Sequence, residues 1–175
     1  KDDPVTKHVL KRCKGVPVRE VDNAISNTIV GASKILSGIK KSNPSKKTLK
    51  IVLAGKKVLY LGPAGSGVVD TFNMADDRMM CPHFDRLKFA SNGCFYQCDW
   101  CYLKGTYRAN QPYININTQY DKIKRRINKR LESTTENVIF NSGEMADSLA
   151  LEHLTRAGRE FIPFFGKTKN GYLFM

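Results

Sequence analysis

The sequence has 175 residues, with 29 lysines and arginines against 16 aspartates and glutamates, for a formal net charge of +13. That length buries a real core and suits one or two domains, and no apolar run is long enough to cross a bilayer as a helix. The charge surplus favours polyanions through counterion release, so nucleic acid, of a kind that charge does not specify, is one expected partner; a solvated basic surface around an anionic small molecule, or a piece whose acidic half lies elsewhere, is the plainer alternative. Lys1-Asp2-Asp3-Pro4 runs directly into a polar helix pattern rather than a signal peptide. Five cysteines, three of them crowded together, suit a reducing cytoplasm better than a disulfide framework.

Residues 4–13 read as a short helix with Val5, Val9 and Leu10 on one side. Residues 16–21 alternate apolar and polar, as a strand does. Asp22 and Asn23 are placed to cap a helix in which Ile25, Ile29, Ala32 and Leu36 follow helical spacing. The basic run 37–47, with Gly38, Asn43 and Pro44, reads as a solvent loop, and strands are expected over 48–54 and 57–61. These pieces make a small α/β lobe over residues 1–80. The glycines of 62–67 follow a strand, where backbone amides can cradle phosphate. No Lys-Ser or Lys-Thr follows them, and the spacing is that of a plain loop. Residues 70–80 are an irregular connection whose three methionines are packing material.

Cys81-Pro82 precedes a strand expected over 84–90, which delivers the chain to Ser91-Asn92-Gly93-Cys94-Phe95-Tyr96-Gln97-Cys98-Asp99-Trp100-Cys101-Tyr102-Leu103. Thiolates are soft ligands that suit iron–sulfur clusters and zinc. Three cysteines leave one iron of a four-iron cubane without a protein ligand, free to bind a small molecule. Structural zinc wants four protein ligands, for which Cys81 or His83 is the candidate fourth; unmetallated thiols are the remaining alternative. Cys81 otherwise reads as a buried thiol and His83 as a loop histidine. Residues 107–117 run irregular to extended, with Lys104 and Arg108 available for anions.

Residues 120–132 form a clear amphipathic helix. Ile123, Ile127 and Leu131 make its apolar stripe, and Lys122, Lys124, Arg125, Arg126, Lys129 and Arg130 cover the rest. That basic face reads as solvated, with a phosphate-binding ridge as the alternative. A buried strand over 137–141 leads into Ser142-Gly143-Glu144, then a helix over 148–159, a third strand over 161–165, and Lys167-Thr168-Lys169. Strand, cysteine loop, helix, strand, acidic loop, helix, strand is the opening of a parallel β/α barrel. The fold class is therefore α/β: a partial barrel over 81–175 behind the N-terminal lobe. Sites in such barrels lie at the C-terminal ends of the strands, where both the cysteine loop and Ser142-Gly143-Glu144 fall.

The C-x3-C-x2-C spacing of Cys94, Cys98 and Cys101, with Trp100 and Tyr102 flanking the last cysteine, resembles the radical S-adenosylmethionine (AdoMet) superfamily. Within it the chain is similar to the spore photoproduct lyase family over nearly its whole length. The matching segments are Gly15-Val16-Pro17-Val18-Arg19-Glu20-Val21, Gly93 to Tyr107, Pro112-Tyr113-Ile114 with Asn117, and Leu151-Glu152-His153-Leu154-Thr155. The resemblance implies that Cys94, Cys98 and Cys101 hold a [4Fe-4S] cluster whose open iron binds AdoMet. The cluster, charged by a flavodoxin- or ferredoxin-type reductant, would split AdoMet to a 5′-deoxyadenosyl radical that abstracts hydrogen from substrate. It also implies Trp100 beside the adenine, Tyr102 near the substrate radical path, and Ser142, Gly143 and Glu144 around the AdoMet ammonium. Lys169, or Lys167, would pair with the AdoMet carboxylate.

Two departures stand out. The family's hydrogen-donating cysteine falls at Glu144 when the chains are aligned through His153-Leu154-Thr155, and no cysteine follows Cys101. That tells against repair of a thymine photoproduct by the family's mechanism. The expected barrel is also about half the family's, so the sequence is expected to belong to a longer protein. The competing reading is a non-catalytic nucleic-acid-binding module with a structural zinc or iron–sulfur site, its aromatics stacking bases.

Overall fold

A computed structural model describes residues 2–20, 55, 57–71, 83–91, 94–96, 98–101, 113–143 and 146–175. The helix expected over 25–36, the strand over 48–54, Cys81, Tyr102 and Glu144 lie outside the described residues.

Helix α1 (Pro4–Arg12) starts on Asp3, whose carboxylate accepts from the Thr6 amide at 2.9 Å and the Thr6 hydroxyl at 3.2 Å. Pro4 occupies the first turn, where its missing N–H costs nothing. The strand expected over 16–21 is not formed across its described part, residues 16–20. Pro17 removes a ladder donor there, and Val16 and Val18 both stand in solvent rather than on a sheet face.

The strands that follow are β1 (Leu59–Gly62), β2 (Val69–Thr71), β3 (Asp85–Leu87), β4 (Ala90–Ser91) and β5 (Ile114–Asn117). After them come α2 (Tyr120–Glu132), β6 (Val138–Asn141), α3 (Glu152–Thr155), α4 (Ala157–Phe165) and β7 (Gly171–Phe174). They build two sheets. The smaller runs β1-β5-β4, with β1 parallel and β4 antiparallel to β5; the larger runs β2-β3-β6-β7, with β3, β6 and β7 parallel and β2 antiparallel to β3. Residues 62–67 are the expected loop, closed by a 3-10 turn over Ser66–Val68 and tied down where Arg126 donates to the Gly65 carbonyl. Residues 69–71 pair with β3 as an edge strand, so the start of the connection expected to be irregular over 70–80 is extended instead. Across that pair Asp70 accepts two bonds from the Arg86 guanidinium, both at 2.8 Å, and one from Lys88 at 3.2 Å.

The strand expected over 84–90 divides between the sheets. Residues 85–87 join the larger one, residues 90–91 the smaller, and Lys88-Phe89 crosses from one to the other. The crossing is held from both sides. The Lys88 amide donates to Val68 O at 2.9 Å, while Asn117 donates its amide to Phe89 O at 2.8 Å and its side-chain Nδ2 to Lys88 O at 2.6 Å.

Helix α2 lays its expected stripe of Ile123, Ile127 and Leu131 on the larger sheet, all buried with Leu87, Val138 and Phe140. Its Arg130 reaches back to the buried Asp85 of β3, Nε to Oδ2 at 2.7 Å. The run 161–165, expected to be the third strand, is instead the second half of α4. Ala157, Phe161 and Phe165 recur every four residues and all face the core, with Phe161 ringed by Phe89 at 4.4 Å and Tyr120 at 5.1 Å. The third parallel strand is β7, ten residues later. The helix expected over 148–159 also breaks, at Arg156 (φ 55°, ψ 29°), because Glu152 turns back to cap α4. Its carboxylate accepts from the Gly158 amide at 2.8 Å and the Arg159 amide at 3.3 Å, satisfying donors that the helix start leaves orphaned. A second small core of Ile114, Ile116 and Leu151 joins the smaller sheet to α3. Among the described residues no helix is long and apolar enough to cross a membrane.

Candidate active site

The cysteine loop leaves β4 and begins with a buried sulfur. The Cys94 thiol donates to the Tyr96 carbonyl at 4.0 Å, whereas Cys98 is exposed and Cys101 half-buried. A turn joins the last two, with the Cys101 amide on the Cys98 carbonyl at 3.1 Å. None of the three is in a disulfide, and the described residues hold no preassembled group of three metal-ligating side chains. In donor type the loop still suits a thiolate-bound metal: three free cysteines on one short segment, with no competing disulfide partner. Trp100 is 88% exposed, so its indole reaches into solvent from the loop's far turn.

What the loop touches is α3. The Phe95 ring meets the His153 ring edge-on, at 6.3 Å between centroids and 85° between planes. Phe95 also lies 4.3 Å from Tyr96, and the His153 carbonyl accepts from Arg12 of α1 at 3.2 Å. The sequence reading passed over Phe95 and His153 as contact residues. Their signal was an adjacent aromatic pair in an otherwise polar loop, together with a histidine inside a family-matching helix.

The loop after β6 is the second half of the site. Ser142 is buried, and its amide continues the ladder by donating to Phe174 O at 3.0 Å. Its hydroxyl lies 3.2 Å from the same carbonyl and 2.9 Å from the Ser148 hydroxyl. One proton cannot serve both, so Ser142 gives it to the carbonyl and accepts from Ser148. Gly143 donates its amide to Asn141 Oδ1 at 2.9 Å. A Cβ at 143 would sit 2.9 Å from Ser148 Oγ, so the turn needs glycine for close approach. Both hydrogen-bond sets leave the Ser142 and Gly143 carbonyls unbonded among the described residues.

Lys169 stands elsewhere. It lies in the turn before β7, beside Asn170, whose carbonyl accepts from the Val138 amide at the start of β6. Ser142 lies past the other end of those paired strands, about 13 Å away at 3.3 Å per residue. The fold brings the cysteine loop to α3 through Phe95 and His153, places Ser142-Gly143 at the C-terminal end of β6, and puts Lys169 at the opposite end of the β6–β7 pair.

This architecture recurs in solved spore photoproduct lyases. A double mutant of that enzyme with bound AdoMet and dinucleoside spore photoproduct matches with a TM-score of 0.70 at 22% identity, over 98% of this chain and 45% of its own. A second structure, complexed with dinucleoside spore photoproduct, matches at 0.69 and 20% over the same shares. The fold of this chain is that of the solved spore photoproduct lyases.

The sequence profile of the family described as spore photoproduct lyase matches residues 84–175, more than half the chain. Spore photoproduct lyase of Geobacillus sp. (strain Y412MC61) is 29% identical over 84 residues, which are 47% of this chain and 24% of that protein. The chain belongs to the spore photoproduct lyase family. It spans less than half the length of the solved relatives it matches.

Proposed function

We propose that the chain is the cofactor-binding part of a radical AdoMet enzyme acting on a photodamaged nucleic acid. Cys94, Cys98 and Cys101 are its metal ligands. The parallel trio β3, β6 and β7, with helices between successive strands, is then the first part of a β/α barrel. The observation that supports the reading is the contact of the three-cysteine loop with α3, the Phe95 ring edge-on to His153. When bound, a [4Fe-4S] cluster with AdoMet supplies a 5′-deoxyadenosyl radical that abstracts hydrogen from substrate.

The chain's own residues bind and orient. Metal binding would deprotonate the thiols. Cys94, which is buried, and Cys98 and Cys101, joined by a turn, would hold it through their sulfurs. The Ser142 and Gly143 carbonyls are acceptors for the AdoMet ammonium, with the Glu144 carboxylate adding charge. Trp100 supplies backbone contacts beside the adenine, and Tyr102 lies next along the chain toward substrate. Lys169, at the far end of β7, has no part. No cysteine follows Cys101 in this sequence, so the product radical is not quenched by a thiol at the family's position. The net charge of +13 suits a DNA lesion as substrate.

Anaerobic reconstitution with iron and sulfide tests the reading. The protein should turn brown, take up about four irons per chain as a cubane requires, and release 5′-deoxyadenosine from AdoMet on reduction. Cys94→Ala, Cys98→Ala and Cys101→Ala should each abolish release, and Cys13→Ala should not. A colourless protein holding stoichiometric zinc would instead establish a structural metal module.

A further inference from the structure

A cleft of about 850 Å³ opens where the start of α1 meets the first turn of α2 and the corner between α3 and α4. None of the cysteines and no residue of the Ser142 loop lines it. Three cations do: Lys122 and Arg125 from α2, and Arg156 from the corner. None of the three has an ion-pair partner among the described residues. Three acids are also present, but two are engaged. Asp3 is committed to capping α1, and Glu160 holds Lys124 at 2.9 Å, which leaves Asp121 alone.

The cleft floor carries unused polarity. His8 Nε2 and Gln119 Oε1 are buried atoms with no hydrogen-bond partner, and buried polar groups are nearly always paired. Gln119 occupies the cap position of α2 without capping it; the Tyr120 amide is bonded to Thr118 O, which leaves the first-turn amides of Asp121 and Lys122, both cleft-lining residues, for a ligand. The Gln119 amide is assigned by its surroundings, and a half-turn offers its NH2 to the same point.

We propose that this cleft binds a phosphate group, gripped by Lys122, Arg125 and Arg156 and received by the first-turn amides of α2 and by His8. The chemistry favours a multiply charged tetrahedral oxyanion. The helix start supplies a fixed positive dipole, and guanidinium groups bond phosphate oxygens in pairs. Burial, and then the charges of Arg156, Arg12 and Lys11, hold the His8 imidazole below its ordinary value, a field in which an anion is welcome. The phosphate belongs either to a nucleic-acid backbone or to a free phosphorylated molecule, and the site goes beyond the cofactor reading above because it uses none of its residues.

The test titrates the full chain with inorganic pyrophosphate and, separately, with a short single-stranded oligonucleotide at matched ionic strength, following the His8 imidazole by NMR. Arg156→Gly is the first variant. At φ 55° a glycine is more at ease than arginine, so the fold is kept while the cation goes. Lys122→Ser with Arg125→Gln is the second. Pyrophosphate should shift the His8 resonance; Arg156→Gly should weaken binding about ten-fold, the loss of one strong charged contact, and the double variant, which loses two, about a hundred-fold. A response to the oligonucleotide alone, with the same dependence on the variants, assigns the site to backbone phosphates. If neither probe moves His8, or if both variants bind as the parent does, the proposal is wrong.

Discussion

Cutting Arg130 away from Asp85 tests how the strand that feeds the cysteine loop is held. The Asp85 side chain is 4% exposed and its partner 33%, with Nε and Oδ2 2.7 Å apart. Unit charges about 4 Å apart attract by roughly 4 kcal/mol at the effective dielectric of a protein surface. Leaving a buried charge unpaired costs about 3–5 kcal/mol. Water reaches the guanidinium side, so the lower end applies, and Arg130→Ala should destabilise by about 3 kcal/mol. For a chain of this length that lowers the melting temperature by roughly 6–12 °C. Replacing both partners with apolar side chains, Asp85→Leu with Arg130→Met, should return to within about 1 kcal/mol of the parent, because the stranded carboxylate goes too. Urea denaturation followed by near-ultraviolet circular dichroism measures all three proteins. Arg130→Ala within about 0.5 kcal/mol of the parent, the ordinary range for a surface change, would refute the reasoning. So would a double variant no better than the single.

Other outcomes follow from the same structure. Glu152→Ala removes the cap of α4 and should cost about 2 kcal/mol in the same denaturation assay, with Glu152→Gln keeping roughly half of it. Phe161→Ala empties the centre of the aromatic cluster and should cost about 3–5 kcal/mol, the largest loss among core truncations here. At Asp70, burial pulls the carboxyl up, but bonds from Arg86 and Lys88 outweigh it and hold the group below its ordinary 3.8. Its contribution to stability is therefore complete above that value and is lost as pH falls through the lower folded value. Acid titration of stability should show a shallower loss below pH 3.8 in Asp70→Asn than in the parent.

The family and the main helix were legible because their signals are local. The spacing of Cys94, Cys98 and Cys101 lies within one loop, and the stripe of α2 repeats within one helix. What failed depended on distant partners. Nothing in residues 84–90 announces that Asn117 will pull Lys88-Phe89 across to a second sheet. The aromatic run of α4 reads as a strand until Ala157 is counted with Phe161 and Phe165, and the helix break at Arg156 needs a carboxylate six residues from the amide it caps. Lys169 was expected beside the AdoMet carboxylate from the family resemblance, and the third strand was expected at 161–165. With that strand at 171–174, Lys169 precedes it and falls at the opposite rim.

The Lys88-Phe89 crossing couples two plates at the threshold of the chemistry. Asn117 bonds the carbonyls of both residues in that joint, Lys88 through its side chain and Phe89 through its amide, and is itself the last residue of β5. Three residues on, α2 begins, and its Arg130 returns to Asp85 of β3, so the residues that hold the crossing close a ring between the two sheets.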